Sequence, residues 1–459
     1  SGFTLLHKCV ILTRKYPQLN DILRDRFQTN LQFSQSINIT NKKGWSALQI
    51  ASRNSKTDST EETVKILLAA GANVNLQDNE RWTALHMASN YSGTDSTEET
   101  VKILLAAGAN VNLQDNEGWT ALHAASKYSR TDSTEETVKI LLAAGANVNL
   151  QEKYGWTALH LASICTKTDS TEETVKILLA ANANINLQDY KGRSALHFAS
   201  KKSRIYSTEE TVKILLDSGA DVNLQYNDGR TALHLASRYS KTTSTEETVK
   251  LLIDAGANVN LQDDNGWSAL HLASRNSRTD STEETVKILL VAGSNVNLQE
   301  NEGWSALHLA SINSRTDSTE ETVKILLAAN ANINLQNNEG WTALHMASRN
   351  SKTDSTEETV KILLAAGANV NLQNNNGKTP LQLASNNLML STQETINILK
   401  AAEALIVYDE HIGECVICYN NSTTLICNYN HNTCLECSTK MLTKFCPICS
   451  NEFIRSKLT

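Results

Sequence analysis

The sequence is short of several features, and each shortage excludes a class of protein. It contains no apolar run of about 18 residues and no signal-like N-terminal segment, so no transmembrane helix is expected. Its formal net charge of −7 disfavours nucleic-acid binding. Before residue 415 it has only two cysteines, Cys9 and Cys165, which indicates a reducing compartment. We therefore expect an intracellular, cytoplasmic protein that binds neither membranes nor nucleic acids.

The other seven cysteines are concentrated near the C-terminus. Together with one histidine they follow the order C-x2-C-x8-C-x3-H-x2-C-x2-C-x8-C-x2-C between Cys415 and Cys449. Thiolates and imidazole are the ligands of tetrahedral structural zinc, and each C-x2-C pair supplies half of a four-ligand site. The segment therefore has the ligands for two Zn2+ ions. Zinc would also supply folding free energy, on the order of 10 kcal/mol per ion, that so short a segment cannot obtain from an apolar core.

This segment resembles a RING finger, the module by which one class of ubiquitin ligases holds a ubiquitin-conjugating enzyme. The resemblance implies interleaved ligands, with Cys415, Cys418, Cys434 and Cys437 on the first zinc and Cys427, His431, Cys446 and Cys449 on the second. It also implies a surface for the conjugating enzyme, made by Ile417, Met441 and Pro447. A RING has no nucleophile of its own, so its catalysis consists of positioning.

Two other interpretations of the segment remain open. Many active RING fingers carry a basic residue directly after the last ligand, whereas this chain has Ser450 there, which leaves room for a purely structural zinc knot. Disulfides would instead require an oxidising compartment, which the scarcity of cysteine elsewhere disfavours. The predicted function is that of a RING-type ubiquitin ligase, and the alternative is a non-catalytic scaffold with a structural zinc module.

The rest of the chain is a repeat array with a period of 37 residues. Each copy opens with a near copy of W-T/S-A-L-H-x-A-S and continues with S-T-E-E-T-V-K-I-L-L-A-A-G-A-N-V-N-L-Q. A fixed period between about 20 and 50 residues indicates a solenoid. The equivalent opening positions are Trp45, Trp82, Trp119, Trp156, Arg193, Arg230, Trp267, Trp304, Trp341 and Lys378.

These copies resemble ankyrin repeats, whose T-P-L-H-x-A signature is matched here by T-A-L-H. The resemblance implies a mainly α solenoid of about 11 repeats over residues 1–403, each repeat being a helix-turn-helix with a β-hairpin. A short linker, residues 404–414, would join it to a small α+β cross-brace zinc domain at residues 415–459. The asparagine-rich sequence of the copies also resembles that of ankyrin arrays in giant DNA viruses, which implies a setting in the host cytoplasm.

Local patterns predict where the second helix of each repeat begins and ends. Ser59 and Glu62 have the spacing of a capping box at the start of the helix. The position after the helix is Gly in most copies, for example Gly71, and Asn at Asn182 and Asn330. Gly and Asn are the residues that most readily adopt the left-handed conformation that ends a helix. The histidine in each copy is predicted to bond within its own turn.

The copies differ from one another mainly at the hairpin tip and along the first helix. In ankyrin proteins these positions line the concave groove that binds partners, and Trp, Tyr and Arg are enriched at interface hot spots. We therefore predict a substrate-binding surface on the copies nearest to the zinc segment, formed by Trp267, Trp304, Trp341, Arg275 and Arg349. The alternative is that duplication multiplied the tryptophan and that each ring only covers the next hairpin.

Overall fold

The computed structural model describes residues 4–409 and three short strands at residues 424–427, 432–434 and 453–454. The chain forms two compact units, Ser1–Asn227 and Asp228–Thr459. In the described residues of each unit, helices pair in sequence order, and tight turns connect one pair to the next. The prediction of a mainly helical repeat fold is confirmed for both units.

The first unit contains six helix pairs and one additional short helix. The helices are α1 (Leu5–Val10), α2 (Gln18–Thr29), α3 (Leu31–Gln35), α4 (Ala47–Arg53), α5 (Glu61–Ala69), α6 (Ala84–Asn90), α7 (Glu98–Ala106), α8 (Ala121–Lys127), α9 (Glu135–Ala143), α10 (Ala158–Ile164), α11 (Glu172–Ala180), α12 (Ala195–Lys202) and α13 (Glu209–Asp217).

The described residues of the second unit form five helix pairs and three strands. The helices are α14 (Ala232–Tyr239), α15 (Glu246–Asp254), α16 (Ala269–Arg275), α17 (Glu283–Val291), α18 (Ala306–Ile312), α19 (Glu320–Ala328), α20 (Ala343–Arg349), α21 (Glu357–Ala365), α22 (Pro380–Asn386) and α23 (Gln393–Asp409). The strands β1 (Thr424–Cys427), β2 (Asn432–Cys434) and β3 (Phe453–Ile454) form an antiparallel sheet in the order β2-β1-β3. In this sheet Thr424 is paired with Cys434, and Cys427 with Phe453.

The start of the second helix differs from the prediction. In α5 the N-cap is Thr60, whose Oγ1 accepts the amide N–H of Thr63 at 3.2 Å. The capping box predicted for Ser59 and Glu62 is therefore wrong. Ser59 is fully buried one residue before the cap, and its hydroxyl lies 3.3 Å from that of Thr13. The reason is that two hydroxyl residues stand in a row, and the first is used for packing between repeats.

The end of the second helix matches the prediction. Gly71 follows α5 with φ +86°, and both Asn182 and Asn330 have φ +62° at the equivalent position. The next amide, that of Ala72, bonds back to the carbonyl of Leu67 at 3.0 Å. A left-handed residue turns the chain so that such a bond satisfies a carbonyl at the helix end.

The connection between repeats is a tight turn rather than a regular β-hairpin. At the turn 78–82, the amide of Asp78 bonds to the carbonyl of Trp82 at 3.0 Å. The Asp78 carboxylate then accepts the amide N–H groups of Glu80 and Trp82 at 2.9 and 2.8 Å. Because the side chain takes amides that a strand ladder would use, the β-hairpin expected in each repeat is reduced to a turn. Within residues 4–409 the only isolated bridge joins Gln299 and Ser305.

Buried hydroxyl groups join consecutive repeats. The hydroxyl of Thr100 donates to that of Ser55 at 2.7 Å, and the hydroxyl of Ser96 donates to the Ser52 carbonyl at 2.6 Å. All four residues are fully buried or nearly so, among core residues such as Val101 and Leu104 of α7. A buried polar group costs free energy unless it is bonded, so these contacts fix the register of one repeat on the next.

The last helix, α23, is longer than the other second helices. It has 17 residues, whereas α21 has nine, and it continues to Asp409. The segment 404–414, predicted to be a linker, therefore begins as helix. Among the residues that the structure describes, no helix combines the length and apolarity needed to cross a membrane.

Candidate protein-binding groove

The tryptophan that opens most of the repeats is fixed through its backbone. The carbonyl of Trp156 lies 3.2 Å from Nε2 of His123 in the preceding repeat, and the carbonyl of Trp304 lies 3.1 Å from Nε2 of His271. At the start of the array Gln49 replaces the histidine and donates to the Trp82 carbonyl at 2.7 Å. Each Trp ring is therefore held at a defined position beside the first helix.

The hydrogen bonds of these histidines define their protonation state. In His123, Nδ1 accepts the amide N–H of Thr120 at 3.1 Å, so the proton is on Nε2, which donates to the Trp156 carbonyl. Burial lowers the pKa of His123 from its ordinary 6.5 to about 4. The same cause lowers the pKa of His160, His271 and His308 to about 4. These imidazoles are neutral structural links, as predicted, although they also bond across to the next repeat.

Four of the seven tryptophan rings lie beside a cation from the end of the first helix. The guanidinium carbon of Arg275 is 5.5 Å from the centre of the Trp267 ring, and that of Arg349 is 5.3 Å from the Trp341 ring. A cation over an aromatic face is attracted by the electrons of the ring. The first helix and the turn before it thus present an aromatic and cationic surface together.

Three of the five predicted substrate-binding residues line one cleft in the second unit. The cleft has a volume of about 440 Å³, and its walls include Trp267, Arg275 and Trp304. Leu309 and Ile312 add apolar surface. The remaining wall residues are carboxylates and amides, so the cleft has both apolar and polar walls. A cleft of a few hundred Å³ with such walls is suited to hold one or two side chains of a ligand.

The other two predicted residues have a different environment. Trp341 is buried, with only 8% of its surface exposed, and Arg349 lies over its ring. Trp267 and Trp304 are instead half-buried. The arrangement of Trp341 therefore matches the packing alternative for the tryptophan row, and the surfaces of Trp267 and Trp304 are open to a partner.

Sequence reasoning missed an unusual residue, Arg81, at the turn before Trp82. Arg81 has φ +63°, in the left-handed region that disfavours side chains with a Cβ. The equivalent residue in nine other copies is glycine, for example Gly44 with φ +80° and Gly118 with φ +83°. The pattern E-R-W in place of E-G-W was the available signal, because the copies align with one another.

The predicted zinc ligands lie outside the residues whose side chains are described. The same holds for Ile417, Met441 and Pro447, the predicted surface for a conjugating enzyme. Among the described residues, no three His, Cys, Asp or Glu side chains come together in a way that could hold a metal ion. The zinc and RING interpretations therefore remain predictions from spacing.

The helix pairs and turns can now be compared with known families. The family model described as ankyrin repeats (3 copies) matches the chain in overlapping segments that together run from residue 19 to residue 409. The chain belongs to the ankyrin-repeat family. No curated protein matches it significantly. The matched segments are 19–115, 59–150, 92–189, 132–226, 163–244, 202–283, 243–328, 280–373 and 314–409.

Membership in the ankyrin-repeat family makes the array a protein-binding scaffold. The surface with Trp267, Arg275 and Trp304 lies on the first helices and the turns between repeats, where ankyrin proteins bind their partners. Histidines such as His123 and His271 take no part in that surface, because both of their ring nitrogens bond within the fold. The cleft is thus the candidate site of the second unit.

Proposed function

We propose that the ankyrin array recruits a protein substrate and that the C-terminal segment is a RING-type zinc module that holds a ubiquitin-conjugating enzyme. The observation that supports recruitment is the cleft in which Trp267, Arg275 and Trp304 meet. Aromatic and Arg side chains at the centre of a contact supply most of the binding energy in protein interfaces. The cytoplasm of a host cell is the setting that we propose, because the copies resemble viral ankyrin arrays.

The donor set of the C-terminal segment fits two zinc ions. Seven thiolates and one imidazole make one tetrahedral site of four thiolates and a second of three thiolates with the imidazole. The strand register supports the interleaved assignment. Cys434 is paired with Thr424, which is three residues from Cys427 in the sequence. The Cα atoms of Cys434 and Cys427 are therefore offset by about 10 Å along the strand direction. Two thiolates on one zinc lie much closer, since each Zn–S bond is about 2.3 Å.

Zinc supplies folding free energy and a rigid frame in such a module. The chain's own residues would then do the work of docking. Ile417, Met441 and Pro447 would form the apolar surface for the conjugating enzyme. The proposed activity is positioning, because the thioester that reacts is carried by the conjugating enzyme and the substrate lysine comes from the recruited protein.

The test of this activity is a ubiquitination assay with activating enzyme, a panel of conjugating enzymes and the full-length chain. We expect ubiquitin chains with at least one conjugating enzyme, reduced about tenfold or more by Ile417→Ala. Ser450→Arg, which restores the usual basic residue, should raise the rate. Absence of chains across the panel, or chains unaffected by Ile417→Ala, would rule out the ligase and leave the alternative, a non-catalytic scaffold whose zinc module is structural.

The recruitment half has its own test. Partners crosslinked to the full-length protein in cells are compared between wild type and Trp304→Ala, with Trp82→Ala in the first unit as the matched control. We expect Trp304→Ala to remove partners that Trp82→Ala retains. An identical partner set for both variants would show that the cleft does not select the substrate.

A further inference from the structure

The first unit contains an arginine held between two aromatic rings. The guanidinium carbon of Arg53 lies 5.6 Å from the centre of the Trp45 ring and 4.7 Å from that of the Tyr91 ring. Lys43 places its amino group 5.2 Å from the same Trp45 ring. Trp45 and Tyr91 belong to consecutive repeats, so the guanidinium is clasped where two repeats meet.

The bonding of Arg53 is incomplete. Its Nε is buried and has no hydrogen-bond partner within the described residues. A buried donor without a partner is costly, and native structures satisfy nearly all such groups. The two rings thus hold the planar cation in one orientation.

A second and independent observation lies on the same turn as Asp78. Arg81 occupies the left-handed conformation that nine other copies give to glycine. A strained residue persists where the surrounding structure imposes it, and such residues concentrate at binding sites. The side chain of Arg81 is exposed, so the strained turn presents a cation to solvent.

The charge of the turns differs between the first and second units. The turns of the first two full repeats carry three exposed cations, Lys42, Lys43 and Arg81, against one exposed acid, Glu80. The equivalent turns of the second unit carry an acid instead. Those acids are Asp228, Asp264, Glu302 and Glu339. The excess of cations around Arg53 is therefore local, and it complements a ligand of negative charge.

We propose that Arg53, together with Lys43 and Arg81 on the turns that open these two repeats, binds the carboxylates of an acidic polypeptide segment. The terminal nitrogens of the Arg53 guanidinium donate to one carboxylate in the bidentate geometry that a fixed guanidinium favours. Lys43 and Arg81 attract the acidic side chains on either side. The inference rests on the proposed recruitment function and names the class of partner that the first unit takes.

The experiment measures binding of a hexaglutamate peptide with an uncharged dye to the full-length protein by fluorescence anisotropy. A hexaglutamine peptide and a single-stranded oligothymidylate serve as comparison ligands. We expect the hexaglutamate peptide to bind about tenfold or more tightly than the hexaglutamine peptide. Equal affinity for the two peptides, or tighter binding of the oligothymidylate, overturns the proposal.

Matched variants locate the site. Arg53→Gln should weaken hexaglutamate binding about tenfold, whereas Arg238→Gln, an equivalent position in the second unit, should change it less than about twofold. Arg53→Lys keeps the charge but loses the planar fork, and it should weaken binding several-fold. Arg81→Gly, which relieves backbone strain, keeps the fold intact and should weaken binding about threefold. Equal losses for Arg53→Gln and Arg238→Gln overturn the assignment to Arg53.

Failure here is distinguishable from failure of the proposed function. The ubiquitination assay depends on the zinc module, and the crosslinking test depends on Trp304 in the second unit. If either succeeds while hexaglutamate binding ignores Arg53, recruitment stands and this site is wrong. Circular dichroism of Arg53→Gln and Arg53→Lys should match that of the wild type, because the side chain is only half-buried.

Discussion

The Oε1 of Gln49 accepts the amide N–H of Ser46 at 2.7 Å, and its Nε2 donates to the Trp82 carbonyl at 2.7 Å. This amide makes the same two bonds that His123 makes in its own repeat through Nδ1 and Nε2. The position therefore requires one acceptor and one donor with no charge. Protonation of the imidazole would put a second donor against the Thr120 amide, which the site cannot accept.

Acid should destabilise the array through these histidines. The folded pKa of His123 is about 4, below the ordinary 6.5, so the unfolded chain binds more protons between these values. The contribution of neutral His123 to the free energy of unfolding is fully present above about pH 6.5, falls as the pH drops, and is lost below about pH 4. At about pH 5 each such histidine costs about 2 kcal/mol. Urea unfolding followed by circular dichroism at several pH values measures the loss.

The variant His123→Gln isolates this effect. Because Gln49 already fills the equivalent position, the substitution should change stability by less than about 1 kcal/mol at neutral pH. At about pH 5 the variant should be more stable than the wild type by about 2 kcal/mol. Equal pH dependence of stability in the wild type and the variant would show that protonation of His123 does not contribute to the acid destabilisation.

Arg81→Gly should stabilise the first unit by about 1 kcal/mol, because glycine adopts the left-handed conformation without a Cβ penalty. The reverse change, Gly118→Arg, places a side chain at φ +83°, where a Cβ would come within 3.0 Å of the Glu152 Cα. Gly118→Arg should lower the free energy of unfolding by more than Arg81→Gly raises it. Urea midpoints of the two variants give the comparison, and a destabilised Arg81→Gly would contradict the strain assignment.

The loop between the two helices of a repeat contains Lys or Arg at one position in most repeats, with Gly93 in one, and the two cations differ in bonding. Arg130 donates from Nε to the Ser170 carbonyl and from a terminal nitrogen to the Thr166 carbonyl, both at 2.8 Å. Lys56, at the equivalent position, donates to one carbonyl, that of Gly93, at 3.0 Å.

Lys56→Arg should therefore raise the free energy of unfolding by about 0.5 to 1 kcal/mol, because it gains one hydrogen bond. Arg130→Lys should lower it by about the same amount, because it loses one. Thermal unfolding of both variants measures the changes. Changes of the same sign in both variants would show that the second carbonyl contact contributes nothing to the stability of the first unit.

The zinc prediction is tested by metal content. The purified full-length protein should contain two equivalents of zinc by mass spectrometry, and Cys418→Ser should lower that number. A chelator should remove the metal and leave the helical signal of the ankyrin array unchanged, because the array residues hold no proposed ligand. One equivalent or none in protein purified without chelator would contradict the two-site assignment. Cys165→Ser, outside the ligand set, is the matched control.

Much of the repeat could be predicted because the chain supplies its own alignment. The helix end at Gly71, Asn182 and Asn330 requires a residue that adopts the left-handed conformation, and each of the three has φ above +60°. The helix start at Thr60 was missed by one residue, since Ser59 offers the same hydroxyl and only packing decides between them. The sequence predicted a β-hairpin instead of the tight turn at Asp78. The Asp78 carboxylate accepts amide N–H groups that would otherwise bond to a neighbouring strand.

The candidate sites were harder to predict than the fold. Trp267, Arg275 and Trp304 could be named from composition, but their meeting in one cleft depends on how consecutive repeats stack. The same stacking separates Trp341, which is buried, from the other two. The clasp of Arg53 between Trp45 and Tyr91 depends on side-chain orientation across two repeats, which no periodicity encodes.

The equivalence of contacts at a 33-residue spacing, as in His86 with Trp119 and His271 with Trp304, has a genetic consequence. Loss or gain of one whole period by recombination between copies rejoins the same donor to the same acceptor. Array length can then vary between generations without a broken interface, whereas any change that is not a multiple of the period disrupts the junction. Lineages carrying this gene are expected to differ in length by steps of 37 residues.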